Sequence, residues 1–221
     1  MNKKYKLSEE SLQLEPGHIL HRIISLRDFY NVKKDDLGGY VEFERNLSHN
    51  GRCWVSENAM VYGNSQVYDN ALICGHARVY ENAQVYGNAH ISDNARIYAN
   101  AQAFGNMQSS GNSAITGGAK VFDGAKISGF VIISGESQIY GSAQIRDHVW
   151  VSGNSKIYEA AIVCESSAVF GFSRVCGDVY VGGSVDVYGD LTLNHGIWNK
   201  RIRIKDRIYM ISSTLEKKLM G

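Results

Sequence analysis

Residues 77–106 read ARVYEN-AQVYGN-AHISDN-ARIYAN-AQAFGN, five hexapeptides in one phase. Working outward in steps of six, from Val55 through Val121 to Leu193, the phase never slips: 22 of 24 anchors are Val, Ile or Leu, with Ala103 and Ser109 the departures. The residue two before each anchor is Ala, Ser or Cys in 18 of 24 cases. In an extended strand residues i−2 and i share one face, so a small and an aliphatic residue both point inward. Gly, Asp and Asn, which tolerate the left-handed backbone of a corner, crowd the next two positions. Asn fills the second of these in nine of the first ten hexads, Asn58 to Asn112, with His76 the departure. A short strand and a sharp corner, repeated, predict an all-β prism-shaped solenoid with one side per hexad.

A period of five, as in pentapeptide solenoids, would lose phase within a few turns. The stretch Gly177–Asp190 is locally similar to bactofilin-type helices, but the strict small-x-aliphatic pattern favours the other reading. The pattern resembles the hexapeptide repeat of left-handed β-helix proteins. The resemblance implies three hexads per coil, hence about eight coils over 53–196, a parallel β-helix roughly 38 Å long. Its left hand is implied by the resemblance alone, since general crossover rules favour the right. At the fourth coil the small anchor Ser109 follows the large inward Met107, and the flexible Met is expected to fill the gap.

Both open edges of a solenoid need covering. Residues 1–52 are expected to form an N-terminal cap and lead-in. Residues 197–221 are expected to form a C-terminal cap, with RIRIK-D-RIYMI as a hairpin and Ser213-Thr-Leu-Glu216 as a capping box opening a short helix. The lead-in carries Arg22, Asp28-Phe29, Leu37-Gly38-Gly39-Tyr40, Glu42, Glu44 and Asn46-Leu47-Ser48. These residues resemble the lead-in of YdcK-type bacterial and phage repeat proteins, commonly labelled acyltransferases. That resemblance spans nearly the whole chain, and as a fold-level analogy it does not fix function.

Net charge is +1 over 221 residues, giving no global pull toward nucleic acid or anionic lipid. Residues 198–221 hold seven Lys/Arg against two acids, while 51–197 hold eight against twelve; the basic end reads first as solubility and helix capping, and second as a tail that touches an anionic partner. No run of ~18 apolar residues suits a membrane span, and the first residues lack the apolar core of a signal peptide, so the cytoplasm is the expected compartment. Cys53, Cys74, Cys164 and Cys176 are too scattered for a zinc site or a disulfide framework.

Acyltransferases of the hexapeptide class use a histidine base at a subunit interface and a groove for coenzyme A. His90, outward beside Ser92 with Leu72 below and Gln108 above, is the candidate catalytic base, and acyl-CoA the implied donor; otherwise no cofactor is evident. His76 and His148 share one corner four coils apart and read as substitutes for turn Asn. No closely spaced histidines suggest a metal site. With residues 18 apart stacked, the third side carries an outward column Tyr68, Tyr86, Phe104, Phe122, Tyr140 and Tyr158, flanked by Gln66, Gln84, Gln102, Lys120 and Gln138. Tyr62, Tyr80 and Tyr98 begin a second column. Such ladders reinforce stacked strands, and a contiguous aromatic strip also marks a contact surface. The expected function is an oligomeric scaffold or binding protein presenting this face. Self-association is the first use expected, with trimers the family precedent, and a small-molecule or glycan ligand the second. The other function is a coenzyme-A-dependent acyltransferase.

Overall fold

The computed structural model describes residues 3–200 and 203–205. From Trp54 onward nearly every strand is two residues long and pairs in parallel with the strand 18 residues on. Three series run side by side: Trp54, Leu72 and His90 on the first side; Met60, Arg78 and Arg96 on the second; Gln66, Gln84 and Gln102 on the third. The chain is an all-β parallel solenoid whose three sheets contain nine, twelve and eight strands respectively, about nine turns in all. Its helical content among the described residues is one short 3-10 turn, Glu44–Asn46.

The hexads counted from Cys53 gave eight coils; the difference arises at both ends. Before the first hexad, Val41 pairs with Val61 and Leu47 with Val67, each a step of 20 residues, so the lead-in supplies most of a turn with two residues more than the repeat. Beyond Leu193, Tyr180 pairs with Ile197 and Val187 with Ile204, steps of 17. The RIRIK segment expected as a hairpin arm therefore continues the second side in parallel through Arg203–Lys205. Its expected partner arm, and the helix expected from Ser213, lie outside the described residues.

Every anchor from Val55 to Leu193 is buried, and so is the residue two before each. Met107 and Ser109 are both fully buried, and the Ser109 hydroxyl shares a hydrogen bond with that of Ser113 at 2.8 Å. Inward serines elsewhere satisfy themselves locally: Ser65, Ser137, Ser155 and Ser173 donate to the carbonyl three residues back at 2.6–2.9 Å. Serine can thus replace alanine at the small position without leaving an unpaired buried hydroxyl.

The corners divide labour more sharply than the sequence suggested. The left-handed residue is the first corner residue, glycine at Gly87 (φ 67) but also Asp69 (φ 57) and Glu159 (φ 59). The Asn that follows builds amide ladders, Asn70 to Asn88 to Asn106 at 3.1 and 2.9 Å.

At the N-terminal end β1 (Tyr5–Leu14) and β2 (His18–Ser25) form an antiparallel hairpin. β3 (Leu37–Val41) pairs antiparallel with β2 and parallel with Met60–Val61, extending the second side. Tyr5, Leu20 and Ile23 are fully buried, and Tyr5 and Ile23 belong to the solenoid's own core cluster. An edge that would otherwise recruit other chains is thereby occupied.

Candidate functional site

The lead-in motif couples cap to solenoid. A methyl group on Gly38 would strike Ile23 and Trp54, and one on Gly39 would strike the Ala59 carbonyl, so β3 can lie this close only with glycine at both. Arg22 donates to the Gly38 carbonyl (2.8 Å), the Tyr40 hydroxyl (2.6 Å) and Glu10 (2.7 Å). Glu42 accepts the Gly63 N–H at 2.8 Å and holds His18 at 3.0 Å. Asn46 donates to the carbonyls of Gly63 and Ser65. Arg22, Gly38, Gly39, Tyr40, Glu42 and Asn46 thus have structural work that accounts for the motif.

Beneath the cap Lys4 is fully buried, its ammonium donating to the Cys53 carbonyl at 2.7 Å with the Cys53 sulfur at 3.2 Å. Burial pulls the Lys4 pKa down, against an opposing pull from Cys53. His49 lies tilted against Tyr5 with ring centroids 4.5 Å apart and accepts the Lys4 backbone N–H through Nδ1. Its Nε2 is buried without a hydrogen-bond partner.

The aromatic column forms as one continuous stack. Tyr68, Tyr86, Phe104, Phe122, Tyr140 and Tyr158 follow one another at 4.8–5.0 Å between centroids, with planes 1–8° apart. Ring faces therefore cover one another along the solenoid axis, each ring is half-buried, and the edges point outward. Beside the stack Gln102 donates to Gln84 at 3.3 Å. Cys176 caps the column: its hydrogen bond to Tyr158, together with burial, pushes that phenol up to about 12. On the second side Tyr62, Tyr80 and Tyr98 form a shorter stack, with the His18 ring tilted against its Tyr62 end. Burial, then the neighbouring phenols, raises Tyr80 to about 12.

His90 lies where the repeat puts it, exposed, between Leu72 and Gln108. Its Nε2 is 3.3 Å from the Cys74 sulfur, a diagonal contact between adjacent turns that the one-dimensional column hides. Burial holds the Cys74 thiol above its ordinary pKa, and Glu57 and Asp93 add to the effect. One turn below, a cavity of about 360 Å³ opens between the lead-in and the first side, lined by Tyr30, Asp36, Arg52, Trp54 and Leu72 among others. His148 stacks on Phe130 at 5.0 Å. The four cysteines are free thiols. Among the described residues no three His, Cys, Asp or Glu side chains converge as metal ligands, and no helix is long and apolar enough to cross a membrane.

The second side also carries an exposed apolar face that none of the sequence columns above includes. Outward positions on the second side are apolar for three turns: Phe130, Ile132, Trp150 and Phe170 are 57, 48, 60 and 37% exposed. The signal was present, since large apolar residues at 130, 132 and 150 occupy positions that the hexad elsewhere fills mostly with polar or small ones.

Stacked turns, a buried small–aliphatic core and continuous side-chain ladders define a parallel β-solenoid repeat protein. Residues 71–87 match the family described as YdcK Beta solenoid repeat. Over 81 residues the chain is 33% identical to the Escherichia coli (strain K12) protein named Uncharacterized acetyltransferase YdcK, a similarity covering 33% of this chain and 25% of that relative. The chain thus spans about a quarter of the length of the curated relative it matches.

Proposed function

We propose that this chain is a left-handed hexapeptide-repeat β-helix scaffold of the cytoplasm. In this reading it associates with copies of itself, presents its third side to a partner, and acts by binding, without a resident cofactor. The observation that carries the reading is the unbroken stack from Tyr68 to Tyr158, six rings on six successive turns. Because the ring faces are already paired, a partner meets a ridge of ring edges, phenol hydroxyls and glutamine amides. A glycan would be read there by hydrogen bonds, not by lying flat on a ring. Binding without turnover is tested by incubation with acetyl-CoA, CoA, nucleotides and oligosaccharides. The expected result is an assembly larger than one chain, with no CoA released and no stabilisation by CoA. Release of CoA in the presence of an acceptor would overturn the reading.

A second reading, acyl transfer from acyl-CoA, is favoured by the similarity to a relative named as an acetyltransferase. In it His90 takes the acceptor's proton. Replacement His90→Ala would then abolish turnover and leave the melting temperature nearly unchanged, because the ring is exposed.

A further inference from the structure

We propose that the second side of the solenoid pairs with the same side of a second copy, antiparallel, about a two-fold axis lying between Ile132 and Trp150. The inference rests on the self-association proposed above but places it on the second side, leaving the third-side aromatic stack for the partner. Along this side the outward column that leads each strand runs Arg78, Arg96, Ala114, Ile132, Trp150, Ala168, Asp186 on consecutive turns. It is basic at one end and apolar in the middle, and at the other end Asp186 is followed by Arg203 on the next turn.

Counting outward from the midpoint between Ile132 and Trp150, the residues fall into matched pairs: Ile132 with Trp150, Ala114 with Ala168, Arg96 with Asp186. A half-turn about that midpoint lays each residue over its counterpart in the other copy. Indole meets isoleucine at the centre, alanine meets alanine, and an Arg96–Asp186 pair flanks the apolar centre on each side, with Arg78 level with Arg203 one turn beyond. The axis runs along the strands, so the flanking columns also fall on themselves: Phe130 lies over His148 of the second copy and Phe170 over Thr116 of the second copy. An isologous interface requires that residue i meet j while j meets i, and this column satisfies the condition by its sequence. A parallel arrangement would instead bring Arg96 level with Arg96 and Asp186 level with Asp186. Charge thus selects the antiparallel pairing. Strand spacing and rise make the matched area roughly 24 Å by 14 Å, at the small end for protein interfaces, so the association is reversible and concentration-dependent.

The test is sedimentation velocity on the full chain over a wide concentration range, with melting temperature measured in parallel. Wild type is expected to shift from monomer to dimer. Trp150→Lys and Arg96→Asp are each expected to weaken the dimer at least about tenfold, the scale of losing a central anchor, with melting of the monomer unchanged. Asp186 also has a contact within its own chain, so charge is read from the double swap Arg96→Asp/Asp186→Arg, which is expected to restore association. If wild type associates but Trp150→Lys does not weaken it, or if the swap fails to restore it, this surface is wrong while self-association stands. If wild type is monomeric throughout, both fall.

Discussion

The carboxylate of Glu159 accepts the backbone N–H of Gly177, one turn above it, at 2.6 Å, although both residues hold left-handed backbone, φ 59 and 69. The same bond recurs from Glu57 to Gly75 at 2.7 Å and from Asp93 to Gly111 at 2.9 Å. An acidic residue in a corner pays the strain of positive φ and in exchange satisfies a corner N–H. Glu159→Gln keeps an acceptor oxygen and is expected to melt like wild type. Glu159→Ala keeps the strain, loses the acceptor, and should cost about 1 kcal/mol in denaturant unfolding.

The core register is tested at Val121, fully buried between Ala103 and Ile139. A carboxylate there would be unpaired, at a cost of several kcal/mol. Val121→Asp should yield no soluble, cooperatively melting protein. A variant that melts cooperatively would refute the register.

Replacing Tyr86, Phe104, Phe122 and Tyr140 with Ser removes every ring contact in the middle of the column. Stacked pairs contribute about 0.5–1.5 kcal/mol each beyond area, so the melting temperature should fall clearly. Since the matched face lies on the second side, light scattering should show an unchanged mass. Folded monomers from this variant would move the contact between copies to the third side.

Acid should loosen the cap first through His49. Burial, with help from Lys3 and Lys4 and against Glu44, holds its pKa below the ordinary 6.5. A histidine whose folded-state pKa is depressed contributes stability that is present above 6.5 and is lost as pH falls through the lowered value. Melting of wild type should therefore decline on acidification from 6.5 down to the lowered value and level off below it, and His49→Gln should flatten the decline. An identical pH profile in the variant would exclude His49 as the cause.

The solenoid was legible because each strand is only two residues long, so its whole inward pattern fits inside one hexad, as at Ala83 and Val85. What lies between turns was less legible. The Cys74–His90 contact joins positions 16 residues apart that belong to different columns. The acid-to-corner bond of Glu159 looks, in one dimension, like mere tolerance of a turn. The cap was opaque for another reason: Lys4 and Tyr5 obey no repeat, and nothing in MNKKYKLSEE announces a lysine buried against Cys53. At the other end, the alternation of RIRIK is the same for an antiparallel arm and for the parallel strand that pairs with Asp186–Tyr188.

The constant 18-residue step has a hereditary consequence. An in-frame duplication or loss of one whole turn re-creates every stack it interrupts, since the residue above any join is the kind of residue that was there before. Such a chain can lengthen or shorten in units without passing through an unfolded intermediate sequence. A gain of one residue is harmless only where little is stacked beyond it, and the irregular steps do fall at the ends, beside Leu47 and Ile197. A face that matches itself about a midpoint restricts this freedom: a turn added between Arg96 and Ile132 alone would displace one half of the match, so lineages that keep the pairing must change length outside it or on both halves together.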